Sequence, residues 1–156
     1  MPQGTRQEIN DFLSQKRLVM VGVSRNPKEY SRNIFKDLTD RGIEMIPVNP
    51  KIQDIDGVTC YSNIKDVPGE IDGVMVLTSA TASESVVKEI KELGIKRVWI
   101  PGPGSDVTIS KTAVKYCNEN EMTVIAGYCP YMFIKDAQFF HRLHGGLLNL
   151  VGKGPK

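Results

Sequence analysis

The sequence predicts one doubly wound α/β domain, a five-stranded parallel sheet with helices on both faces. Three observations carry this. Short, nearly continuous apolar runs recur, as parallel strands covered on both faces require. Stretches with helical spacing alternate with those runs. Capping residues and glycine stops fall at the joints between them. A chain of 156 residues is one ordinary domain's worth of sequence and buries a real core.

Thr5-Arg-Gln-Glu8 fits a capping box and opens a leading helix over about residues 5–15, with Ile9, Phe12 and Leu13 on its apolar face. Arg17 to Val23 is the first strand, and a polar turn runs from Ser24 to Tyr30. Ser31 is expected to cap the next helix, which places Ile34, Phe35 and Leu38 together and stops at Gly42. Ile43 to Val48 is the second strand, with Pro47 expected at its end or at a weakly paired position. Residues 49–71, with Gly57, Tyr61 and Pro68, form a longer connection without a strong long helix.

Asp72 to Leu77 is the third strand. Thr81-Ala-Ser-Glu84 reads as a second capping box, followed by Val86, Val87, Ile90 and Leu93 at helical spacing and a stop at Gly94. Lys96 to Ile100 is the fourth strand, and Pro101 to Gly104 a turn. Ser105 or Asp106 is expected to cap a helix that turns Ile109, Ala113 and Cys117 inward. Met122 to Ala126 is the fifth strand. Right-handed crossovers then give the order 3-2-1-4-5, with the direction of winding reversing between the first and fourth strands. Residues 127–156 form an aromatic-rich tail, where Phe139, Leu143, Leu147 and Leu150 share a helical face that Gly145-Gly146 weakens. The whole of 1–156 is expected to be a single domain.

Composition bounds the function. Hydrophobic residues make up 40% and charged residues 24%, and the net charge is +2, so no nucleic-acid or membrane partner is expected from charge. No apolar run approaches the roughly 20 residues of a spanning helix, and the first residues lack the apolar core of a secretion signal. A cytoplasmic location is the expectation. Cys60, Cys117 and Cys129 have no zinc-pair or redox-motif spacing and are expected to be reduced thiols.

In open α/β sheets, ligands bind beyond the carboxyl ends of the strands at the switch point. The expected crevice is lined by residues 22–26, 49–51, 78–79 and 101–105. Gly22 allows close approach of the backbone, free amides follow at a helix start, and Ser24, Ser31 and Arg25 add donors. The glycine pattern of a dinucleotide fingerprint is incomplete, with Ser24 and Pro27 where it needs Gly. The acidic residue that holds a ribose in NAD-binding folds is also missing, since Val48 leads to Asn49, Pro50 and Lys51. A lysine there suits a phosphate, such as the 2′-phosphate of NADP or the phosphates of coenzyme A.

Val21-Gly-Val-Ser24, Ile46-Pro-Val-Asn-Pro-Lys51, Gly57, Tyr61 and Cys129-Pro130 together resemble the CoA-binding protein family, which is similar to the CoA-binding domain of the succinyl-CoA synthetase alpha subunit. The resemblance covers about Arg17 to Pro130. It implies a Rossmann-like fold that binds coenzyme A or an acyl-CoA, with no catalytic residue assigned. It implies a pyrophosphate turn at Gly22, Val23, Ser24 and Arg25, a phosphate lysine at Lys51, a strand-end segment at Thr78 and Ser79, and a loop at Ile100, Pro101 and Gly102. Pro101-Gly-Pro-Gly104 departs from many relatives and bears on the pantetheine side and acyl preference. The synthetase's phosphorylated histidine lies in a further domain, so no ligase activity is expected here.

Cys129 is expected to be a structural, partly buried thiol, and His141 and His144 lack a further metal ligand in sequence. The aromatic residues from Tyr128 to Phe140 are assigned to the core or to a subunit interface, which leaves a homodimer or another protein partner open. Two rivals to a non-catalytic CoA-binding protein remain: an NADP-dependent oxidoreductase and a nucleotide-responsive regulatory module.

Overall fold

The computed structural model describes residues 2–102 and 109–134. Helix α1 spans Arg6–Leu13, and strand β1 spans Arg17–Val21. Helix α2 is Tyr30–Asp40 and strand β2 is Glu44–Val48. A small hairpin follows, β3 at Asp54–Ile55 and β4 at Val58–Thr59, and then a 3₁₀ turn at Ile64–Asp66. Strand β5 is Gly73–Val76, α3 is Ala80–Glu92, β6 is Arg97–Ile100, α4 is Lys111–Glu119 and β7 is Thr123–Ala126.

The main sheet has five parallel strands in the order β2-β1-β5-β6-β7. This is the predicted doubly wound sheet, and it matches the 3-2-1-4-5 pattern with one change in which segment fills which place. The place beyond β2 is taken by Tyr61, bridged in parallel to Val48, just after β4. Asp72 to Leu77, expected there, lies instead on the other side of β1. The long connection after β2 therefore supplies the outer strand position through a short segment whose apolar signal is weak.

Alternation along each strand divides the core. Leu18, Met20, Met45, Met75, Trp99 and Ile125 pack with Ile9 and Phe12 of α1 and with Ile34, Phe35 and Leu38 of α2. Val19, Val21, Ile46, Val74, Val98 and Val124 pack with Val87 and Ile90 of α3 and with Ala113 and Cys117 of α4. Period-two strands thus bury both faces, which explains why they read as continuous apolar runs. Pro47 sits within β2, and its carbonyl accepts from Tyr61 N at 3.0 Å. Its missing amide therefore faces the weakly paired outer side, as expected.

The leading capping box forms as predicted: Glu8 N donates to Thr5 Oγ1 at 3.1 Å, and Thr5 N donates to Glu8 Oε2 at 2.7 Å. Three other caps differ from expectation. Glu29, not Ser31, is the N-cap of α2. Ser79, not Thr81, caps α3 by accepting from Ala82 N at 3.3 Å. Ser110 caps α4 by accepting from Ala113 N at 3.1 Å. The predicted caps Ser105 and Asp106 lie outside the described residues, as do His141, His144 and the helical tail. For α2 and α3 the cap falls two residues earlier than expected, nearer the preceding strand, and for α4 it falls at Ser110, directly before the helix.

Beyond β7 the sheet does not end on a bare edge. Gln3 pairs antiparallel with Ala126, each amide donating to the other's carbonyl at 2.8 Å. Gln3 Nε2 also donates to Asn118 Oδ1 at 2.8 Å. No helix among the described residues is long and apolar enough to cross a membrane.

Candidate functional site

The site is built where β1 ends. Gly22 has φ +92°, and its amide donates to Val48 O at 3.0 Å. A Cβ at this position would lie 2.6 Å from Leu77 O and 3.2 Å from Thr78 Cγ2. Only glycine lets the chain leave β1 against the end of β5. The winding therefore reverses between β1 and β5, and the near flank of the turn is Leu77-Thr78. Of the expected near flank, residues 101–105, Pro101 and Gly102 follow β6, one strand farther away, and residues 103–105 lie outside the described residues.

The turn itself is tightly organised. Ser24 N donates to Ser31 Oγ at 2.8 Å, and Asn26 N donates to Ser24 Oγ at 3.1 Å. Ser31, predicted as a helix cap, thus serves the turn before its own helix. The Val23 side chain is fully buried, so its contribution is backbone: its carbonyl accepts from Asn49 Nδ2 at 3.0 Å. Asn49 Oδ1 accepts from Lys51 N at 2.9 Å, and Arg25 Nη2 donates to Lys51 O at 2.7 Å. The loops after β1 and β2 are therefore joined twice. The side chains of Arg25 and Lys51 stay exposed at this junction, two cations on one rim.

Thr78 Oγ1 is buried and has no hydrogen-bond partner among the described residues. Ser79 is exposed beside it and holds the start of α3. Ile100, Pro101 and Gly102 are buried, and a Cβ on Gly102 would meet Gly127 Cα at 3.0 Å. They border the β7 side of the same end of the sheet. The structure thus brings Gly22, Val23, Ser24, Arg25, Ser31, Asn49, Lys51, Thr78 and Ser79 together, with Ile100 to Gly102 off to one side.

Cys129 is buried, and its Sγ lies 3.1 Å from the Tyr30 hydroxyl. Burial pushes this thiol's pKa up, against the lowering effect of the Tyr30 hydrogen bond, so it is a neutral thiol at neutral pH. Burial likewise raises Cys117 to about 11 and raises Cys60. Two residues with a bearing on the site were not singled out in the sequence. Arg32 donates from Nη1 to Arg25 O at 3.2 Å and to Ser24 O at 3.4 Å, and from Nη2 to Asp56 Oδ1 at 2.9 Å. A signal existed for each. Arg32 is a cation in the first turn of a helix, where the macrodipole disfavours it. Asp56-Gly57 between apolar residues is a two-residue hairpin signature.

Residues 16–135 match the family model described as "CoA binding domain". The chain belongs to this CoA-binding domain family. Over 130 residues the domain is 31% identical to the uncharacterized protein YneT of Bacillus subtilis, which covers 83% of this chain and 93% of that one. Over 128 residues it is 26% identical to the ADP-forming acetate–CoA ligase II alpha subunit of Pyrococcus furiosus, covering 78% of this chain. The chain spans only 28% of that subunit's length. Among solved structures, a hypothetical protein from Pyrococcus horikoshii superposes with a TM-score of 0.74 at 26% identity, over 81% of this chain and 87% of that one. The residues present fit a ligand of CoA's chemistry: a tight backbone turn that Gly22 permits, a Thr78 hydroxyl without a hydrogen-bond partner among the described residues, and two exposed cations on the rim.

Proposed function

We propose that this single domain binds coenzyme A or an acyl-CoA across the Gly22 turn, and that binding is its activity. The observation that supports this most is that the Gly22 turn crosses against Leu77-Thr78, whose Thr78 hydroxyl has no hydrogen-bond partner among the described residues, while Arg25 and Lys51 stay exposed where the loops after β1 and β2 are joined. In this reading the phosphates lie against the amides that follow Ser24 and against the Arg25 and Lys51 side chains. The Arg25 amide, which has no hydrogen bond among the described residues, and two exposed cations favour such a group. The absence of a carboxylate after Val48 supports CoA over NAD. Ile100 to Gly102 border the far side, toward the pantetheine arm.

Thermal shifts with CoA, acetyl-CoA, NADP and ADP at matched concentrations test this. A ligand at 100 times its Kd stabilises by about 2.7 kcal/mol. For a domain of this size that is about 5 to 10 °C. CoA or acetyl-CoA is expected to give that shift. A shift with NADP and none with CoA would replace this reading with an oxidoreductase.

Lys51→Ala is expected to raise the Kd for CoA about tenfold, the loss of roughly one charge-assisted contact. Its melting temperature without ligand is expected to stay within about 2 °C of wild type, because the side chain is exposed. Calorimetric titration and a thermal melt check the two halves. Unfolding of this variant would make Lys51 a structural residue.

A further inference from the structure

We propose that Arg32 is a positioning residue for the turn after β1, and that its ion pair with Asp56 ties the β3–β4 hairpin to that turn. The proposal rests on the reading that the turn receives a phosphate-bearing ligand. Arg32 stands in the first turn of α2, where the helix's own field opposes a positive charge. Its side chain is only 11% exposed, so solvent does not explain the placement. Its Nε is buried with no acceptor among the described residues, a further unfavourable feature. Such an arginine is tolerated for what its other two nitrogens do.

One of them, Nη1, donates back to the carbonyls of Ser24 and Arg25. In a planar peptide the C=O and the N–H point in opposite directions. Drawing the Ser24 carbonyl toward Arg32 therefore turns the Arg25 amide away from it, and that amide makes no hydrogen bond among the described residues. Drawing in the Arg25 carbonyl does the same to the Asn26 amide, which Ser24 Oγ then accepts. The guanidinium thus selects which way the first peptides of the turn face. Only a planar fork delivers this, because one nitrogen must serve the carbonyls while another serves a carboxylate.

That carboxylate is Asp56, held at φ +50° at the tip of the hairpin and 63% exposed. Asp56 and Gly57 both have positive φ, so the hairpin is a defined turn that presents its carboxylate at a set position. The hairpin is also joined to the site loop, since Cys60 N donates to Gln53 O at 2.9 Å and Cys60 Sγ lies 3.7 Å from Asn49 O. Arg32 closes a ring of contacts from β1's turn through the hairpin to the loop carrying Lys51. Ligand held by the turn and the position of the hairpin are thereby coupled.

The test uses the full chain as wild type, Arg32→Lys, Arg32→Met, Asp56→Asn and the Arg32→Met/Asp56→Asn double variant. Two readouts are taken: the Kd for CoA by calorimetry, and the amide ¹H–¹⁵N shifts of Ser24, Arg25, Asn26 and Asp56 without ligand. Arg32→Met is expected to weaken CoA at least tenfold, and Arg32→Lys to recover less than half of that loss in logarithmic terms. Asp56→Asn is expected to weaken CoA about threefold and to move the Arg25 and Asn26 amide signals across the ion pair. In the double variant Asp56→Asn is expected to add nothing further, since its effect passes through Arg32. Wild-type affinity in Arg32→Met, or additive losses in the double variant, would overturn the proposal while leaving CoA binding intact. Wild type that binds neither CoA nor ADP would overturn the reading of the site and, with it, the ligand half of this proposal. The amide shifts then still decide whether Arg32 ties hairpin to turn: unmoved Arg25 and Asn26 signals in Asp56→Asn would refute it.

Discussion

Gly22→Val is expected to abolish CoA binding and to destabilise the fold by about 3 to 5 kcal/mol. Two independent effects add. At φ +92° a β-branched residue is strained whatever space surrounds it. The new Cβ also falls 2.6 Å from Leu77 O and 2.8 Å from Leu77 C, which are backbone atoms of the chain leaving β5. Neither can yield without breaking the bond from Leu77 N to Val21 O, 2.8 Å long, that holds β5 to β1. Urea unfolding measures the loss of stability and calorimetric titration the loss of affinity. Gly22→Ala, with the same clash but less rotamer strain, is expected to fall between wild type and Gly22→Val in both measurements. Wild-type affinity in either variant would remove the turn from the site.

Trp99→Ala is expected to cost about 3 to 5 kcal/mol, the usual range for emptying a buried indole site. The side chain is completely buried on β6, between β5 and β7. It meets Phe12 edge-on with centroids 5.4 Å apart, and Phe133 at 6.3 Å. Its Nε1 donates to Tyr128 O at 2.9 Å, so the substitution also strips the chain after β7 of a tether. Trp99→Phe keeps most of the volume and loses the hydrogen bond to Tyr128 O, at about 0.5 to 1.5 kcal/mol. The difference between the two variants in urea unfolding separates packing from hydrogen bonding. A loss below 1 kcal/mol in Trp99→Ala would contradict the burial described.

The elements that the sequence makes legible are those whose signal is local. Five apolar runs gave five strands because both faces of the sheet are covered, and Thr5 with Glu8 gave a helix start because the capping box lies within four residues. What escaped was set at a distance. Asp72 to Leu77 has no local mark telling which side of β1 it joins; that is decided by the short Tyr61 segment taking the outer place. Ser31 looks like a cap from its neighbours, but Ser24 seven residues earlier claims its hydroxyl. Within the site, Gly22 and Lys51 stood out by type and position. Arg32 did not, because its role depends on carbonyls, which no sequence pattern displays, and on Asp56, 24 residues away.

The pairing of Gln3 with Ala126 bears on the order of events as the chain folds. The side-chain contact beside it, Gln3 to Asn118, spans 115 residues. Closing a free loop of that length costs about 4 kcal/mol in chain entropy, more than one bridge returns. Once β1 to β7 are assembled the two ends are already neighbours and the cost falls away, so this seam forms after the sheet rather than with it. Until then β7 offers an unpaired flank on which a second chain can add a strand. This seam thus completes its pairing last, and among the paired amides of the described sheet those of Gln3 and Ala126 are expected to exchange earliest with solvent deuterium.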